Sequence, residues 1–166
     1  MAGTEVASGG ERQRLDLFQS AQTLIAECRM VLPGIQAIFG FQLVAVTNTR
    51  FTELEDWEQW LHLGATALVA LAAAIVMAPA AIHRANGGRE VTEAFIRTST
   101  LLVLAAMTPL ALGLAIDFYL ISRLVDMGKS GLDAALGAIL FALLVFIWMV
   151  FPRLRGVHAF LGRERG

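Results

Sequence analysis

Few residues in this chain are able to do chemistry, and most of those stand in apolar surroundings. Gln36 and Gln42 interrupt a run of Ile, Ala, Phe and Leu, and Asp117 falls within the apolar length of a later stretch. Thr66 and Thr108 add hydroxyls at similar depth. Glu27, Arg29, His83 and Arg84 stand where such stretches begin or end. A glutamine inside an apolar helix has two uses. It ties helices together by hydrogen bonds of about 0.6–2 kcal/mol each, or it lines a route for an ion or proton. Both uses are open here. Gln36 and Gln42 are six residues apart and point to different faces, with Gln42 directed toward Thr66 or Thr108 on neighbouring helices.

Asp117 lies about 12 Å from the middle of its stretch. It reads as a cation site at an outer mouth or as an interfacial carboxylate with its head in water. Glu27 opposite Arg84 reads as an ion pair pinning two helix ends. The alternative makes Glu27 and His83 proton acceptors at an inner mouth, because histidine titrates near neutral pH. The centre of each stretch is free of acids, which argues against a relay built from carboxylates.

Other chemistries lack their residues. His62 and His83 share a helix about 30 Å apart, too far to ligate one iron. Zinc-ligand spacing, nucleophile motifs and phosphate-binding loops are missing. The chain is therefore expected to be no enzyme and to carry no metal or cofactor. A net charge of −1 offers no footing for nucleic acid.

The positioning elements follow from hydropathy. Of 166 residues, 57% are hydrophobic and 16% charged, where soluble domains have about 45–50% and about 25%. Four apolar stretches, at about 30–47, 61–82, 98–122 and 132–151, approach or exceed the roughly 20 residues a helix needs to cross a bilayer. The expected fold is all-α: a four-helix antiparallel bundle in a membrane, spanning 29–152. Residues 1–10 are expected to be disordered and 153–166 to form a basic tail. Residues 11–28 form an amphipathic helix, either in the headgroup layer or as an extension of the first span; Pro33-Gly34 marks a kink or break.

Arginine placement orients the spans. The N-terminal segment, the loop after the second span and the tail hold ten Lys and Arg, and the two remaining loops hold Arg50, Arg123 and Lys129. Positive residues favour the cytoplasmic side, which places both termini there. Small residues repeat at every fourth position: Thr66, Ala70, Ala74 and Ala78; Ala105, Pro109 and Gly113; Ala134, Ala138 and Ala142. Such stripes let helix backbones approach closely, within the bundle or against a second copy.

Several of these residues also carry a resemblance. Glu27-x-Arg29 leading into Gly34-x-Gln36, then Phe39-x-Phe41-x-Leu43, Phe51 and Ala78-Pro79-Ala80-Ala81-Ile82-His83-Arg84 resemble a family of small four-span bacterial membrane proteins, a domain of unknown function. The likeness covers the first half of the chain and, more loosely, the third span. It implies the four-span architecture. Some members are labelled sodium:proton antiporter, but a chain of this length lacks the inverted repeats usual for such transporters. Gln42 stands where an apolar residue is commoner, and Trp57-Glu58-Gln59-Trp60 where an Arg and a Tyr often occur. A shared outer site therefore does not transfer. Two functions follow: cation or proton translocation by an oligomer, with Gln36, Gln42, Thr66 and Thr108 lining the path, or an accessory subunit packed against a larger membrane complex.

Overall fold

A computed structural model describes residues 2–85, 92–126 and 131–153. Four helices, α1 (Ala2–Ala45), α2 (Asp56–Ala85), α3 (Glu93–Asp126) and α4 (Leu132–Val145), account for nearly all of them. α4 continues through a π-helical turn, Phe146–Val150, and a 3-10 turn, Phe151–Arg153. With that extension, all four are long and apolar enough to cross a membrane. The chain is thus the expected all-α antiparallel bundle.

α1 is helical from Ala2 to Ala45 and runs past Pro33 without the break that Pro33-Gly34 allowed. A helix already nucleated by its apolar span extends at little cost. Ala21 and Leu24 are buried against the bundle, so residues 11–28 extend the span in line with it.

Packing follows a seven-residue rhythm rather than a four-residue one. Along α2 the buried positions Glu58, His62, Ala65, Val69, Ala72, Val76 and Pro79 alternate by four and three, with Thr66 buried beside them. Along α3 Ser99, Ala106, Leu110, Gly113 and Leu120 continue the same rhythm and are buried. This is the seam of left-handed helix pairs. The small-residue stripes largely miss it: Ala70, Ala74, Ala105, Ala134, Ala138 and Ala142 are exposed. A four-residue repeat drifts around a helix of 3.6 residues per turn, so such a stripe rotates off the contact face.

Close approach falls instead to two glycines. A Cβ on Gly113 would stand 2.9 Å from Val69 Cγ2 and 3.1 Å from the Ala65 carbonyl. One on Gly137 would stand 3.1 Å from the Ala115 carbonyl. α2 and α3 form the most extensive pair, α4 leans on α3, and α1 lies on α2 with a lesser contact to α3. An apolar centre of Ile35, Val69, Ala72, Val76, Ala106 and Leu110 closes the middle of the bundle.

Turn chemistry explains the connections. Asn48 accepts the Arg50 backbone N–H at 3.0 Å and opens a 3-10 turn, Thr49–Glu53. Glu58, three residues into α2, reaches back to the Glu55 N–H at 3.0 Å, half of a capping box. Thr92 accepts the Phe95 N–H at 3.2 Å at the start of α3. Gly131 enters α4 with φ +67°, a conformation that favours glycine. Asn86-Gly87-Gly88, whose composition reads as a turn, and most of the expected basic tail lie outside the described residues.

Candidate functional site

The seam that packs the bundle also delivers its polar groups. One turn beyond Ala65 on α2 stands His62, and on α3 Asp117 takes the seam position between Gly113 and Leu120. Gln42 of α1 lies seven residues beyond the buried Ile35, so it faces the same interior. The three side chains meet between α1, α2 and α3.

The geometry of this centre is specific. Gln42 Nε2 donates to Asp117 Oδ2 at 2.5 Å. His62 Nε2 lies 3.0 Å from the Gln42 carbonyl. A carbonyl only accepts, so Nε2 carries a hydrogen. The other ring nitrogen, Nδ1, lies 3.2 Å from Asp117 Oδ1. Two bare acceptors at that distance repel. The contact requires a proton between them, on the imidazole or on the carboxyl. In either form the pair is neutral overall, which suits an apolar site. Thr66 donates to the His62 carbonyl at 2.9 Å, and Phe51 meets the imidazole edge-on at 5.3 Å. Gln42 Oε1 is buried without a hydrogen-bond partner, and Asp117 Oδ1 has the His62 imidazole alone.

A second polar cluster lies one turn nearer the same end of the bundle. Glu58, 2% exposed, accepts from Arg123 Nε at 2.6 Å and from the Tyr119 hydroxyl at 3.4 Å. Arg123 also reaches Glu55 at 3.7 Å. These bonds fasten α2 to α3 where the apolar seam gives out. Between α1 and α4 a cavity of about 530 Å³ opens onto the first centre. Its walls include Ile38, Phe41, Leu114, Phe118, Leu140 and Leu144, and Gln42, His62 and Asp117 line it as well.

Of the residues singled out in the sequence, Gln42, Thr66 and Asp117 come together here. Gln42 binds Asp117 rather than Thr66 or Thr108. Gln36 is exposed, because one residue past Ile35 turns it about 100° off the inward face. Thr108 is also exposed, with its hydroxyl 4.0 Å from Met149 Sδ. These four therefore do not form one path.

At the opposite end, Arg29, His83 and Arg84 border one groove between α1 and α2. Glu27 borders another, with Ile96 and Thr100 of α3. Glu27 and Arg84 thus point to different grooves and form no ion pair, since the single-residue step from Cys28, which lines the groove against α2, turns Glu27 by about 100° away from α2. His83 packs on Phe95, ring centroids 5.8 Å apart, joining α2 to α3.

Two residues of these clusters escaped the sequence reading. His62 entered only as an excluded haem ligand, and Glu58 only within Trp57-Glu58-Gln59-Trp60. The signal for both was the four-and-three alternation, which continues outward from Ala65 through His62 to Glu58 without a break.

Comparison with known proteins gives the family and little more. No curated protein and no solved structure matches the chain. A family model described as a family of unknown function (DUF6328) matches residues 10–152, which takes in all four helices and every member of both polar clusters. The chain belongs to that family.

Proposed function

We propose that the chain is a carrier rather than an enzyme, moving a proton or another monovalent cation across the membrane, with His62 and Asp117 as its loading point. One observation carries this reading: His62 stands between a carbonyl and a carboxylate, so the pair must hold a proton. Ionisable groups within a span are costly to bury and commonly mark proton and ion routes. Gln42 steadies the carboxylate, and a positive charge arriving at Asp117 would take the place of the proton.

The apolar centre around Val69, Ala72 and Leu110 supports a carrier over an open pore. It separates the loading point from the His83 end, so in this state the pair is closed off from that end. The arginine bias supports placing the His83 end and both termini in the cytoplasm of a bacterium.

Proteoliposomes enclosing a pH-sensitive dye test the reading. Wild-type protein dissipates an imposed pH gradient when a counter-ion is supplied, and Asp117→Asn does not. Equal rates in the two would overturn it. A second reading, an accessory subunit, is favoured by the exposed Ala134, Ala138 and Ala142 stripe on α4, a face open to a neighbouring helix. A wild-type protein with no flux would support that reading.

A further inference from the structure

We propose that the cavity between α1 and α4 binds a lipophilic amine: an apolar body carrying one protonated nitrogen. This rests on the carrier reading and names the cation that exchanges with the proton.

Three observations converge on that chemistry. The first is space. About 530 Å³ falls within the roughly 300–1,000 Å³ of small-molecule sites, far more than a bare ion fills. The second is an unmet demand for donors. Gln42 is 4% exposed, and its Oε1 is buried without a hydrogen-bond partner, while Asp117 Oδ1 has only the His62 imidazole at 3.2 Å. Both belong to residues lining the cavity. A hydrocarbon tail would leave Gln42 Oε1 unsatisfied, which is unfavourable in an apolar site. A protonated amine donates to Oε1 and takes the place of the shared proton at Oδ1. The third is charge. Around this end Glu53, Glu55, Asp56, Glu58 and Asp133 outnumber Arg50, which lines the cavity rim, and Arg123. An acidic surround raises the local concentration of cations.

The exchange conserves charge. With the proton held between Nδ1 and Oδ1 the pair is neutral. An ammonium group donating to Oδ1 and Oε1 compensates the carboxylate directly. The imidazole then no longer needs a second proton, and one proton leaves for each amine bound. The apolar body lies along Phe41, Leu114 and Phe118, and it enters sideways from the lipid because α1 and α4 do not close over the cavity.

Protein in lipid nanodiscs, titrated with the fluorescent primary amine dansylcadaverine, tests this against empty discs of the same lipid. Saturable binding is expected, with release of about one proton per amine, read from calorimetry in buffers of different ionisation enthalpy. Asp117→Asn abolishes the proton release and weakens binding by about ten- to a hundredfold, the value of one hydrogen bond to a charged group. Leu140→Trp fills the cavity and leaves the polar centre in place. It removes amine binding while the protein keeps its elution volume and helical content. N-acetylated dansylcadaverine, which has no charge, does not compete.

Equal binding of the acetylated compound, or binding unaffected by both variants, would show a lipid-tail groove only and overturn the proposal. If amine binding fails while Asp117→Asn still abolishes proton flux, the amine is wrong and the carrier reading stands. If flux survives Asp117→Asn, the carrier reading falls first.

Discussion

At the scale of single residues, the pair Glu58–Arg123 shows how burial decides which partner is the more costly to lose. Glu58 is 2% exposed, whereas the side chain of Arg123 is 26% exposed. Removing the arginine strands a carboxylate in the interior, a change of about 3–5 kcal/mol in comparable buried pairs. Removing the glutamate leaves a guanidinium that can turn to water or to Glu55, with the loss of a capping contact of about 1 kcal/mol. Arg123→Met is therefore expected to destabilise the protein more than Glu58→Ala, and the double variant less than the sum of the two. Equilibrium unfolding in mixed detergent micelles measures all three. Equal single effects that simply add would remove the pair as a fastening. Gln42 and Asp117 were legible in the sequence because polar atoms in an apolar run need a reason. Glu58 was not, because nothing in Trp57-Glu58-Gln59-Trp60 says that the second residue turns inward. That depends on α3 lying alongside with Arg123 at the matching height.

At the scale of elements, the spans were legible and their contact faces were not. Length and hydropathy give four helices directly. Which side of each one packs is set by the pitch of the helix pair, and small-residue stripes alone do not reveal it. Ala134, Ala138 and Ala142 form a regular stripe, yet Asp133 and Gly137 are the residues of α4 that are buried. Glycines expose the difference in a measurable way. Gly137→Ala sets a methyl 3.1 Å from the Ala115 carbonyl and from Tyr119 Cβ. It is expected to push α4 off α3 at about 1–3 kcal/mol. Gly64→Ala meets no atom within 4 Å and is expected to stabilise α2 by about 0.5–1 kcal/mol through helix propensity alone. Opposite shifts in the thermal midpoint of the detergent-solubilised protein check the pair of predictions. Shifts of the same sign would mean that α3 and α4 do not meet at Gly137.

At the scale of the whole molecule, most of the buried polar residues are gathered toward one end, Ser99 excepted, and an apolar centre lies in the middle. The His62–Asp117 pair, the Glu58–Arg123 fastening and the cavity all belong to the end where α1 passes to α2. Beyond them Ile35, Ala72, Val76 and Ala106 interlock without a polar atom among their side chains. A continuous water route is therefore interrupted by several side-chain layers, and any transfer past them requires the helices to move relative to each other. Cysteine labelling reads this arrangement directly once the native Cys28 is replaced by serine. Single cysteines at Asn48 and Arg84, at opposite ends of α1–α2, are expected to react with a membrane-impermeant maleimide from opposite faces of the bilayer. A cysteine at Ala72, which has no exposed surface, is expected to resist a small charged thiosulfonate added to both sides. Its slow labelling should quicken under an imposed pH gradient if turnover opens the apolar centre. Rapid labelling of Ala72→Cys at rest would mean that water crosses the bundle, and the protein would then be a pore. Reaction of the Asn48 and Arg84 positions from one face would mean that α2 does not cross the bilayer at all, and the apolar seam that aligns His62 with Asp117 would need another explanation.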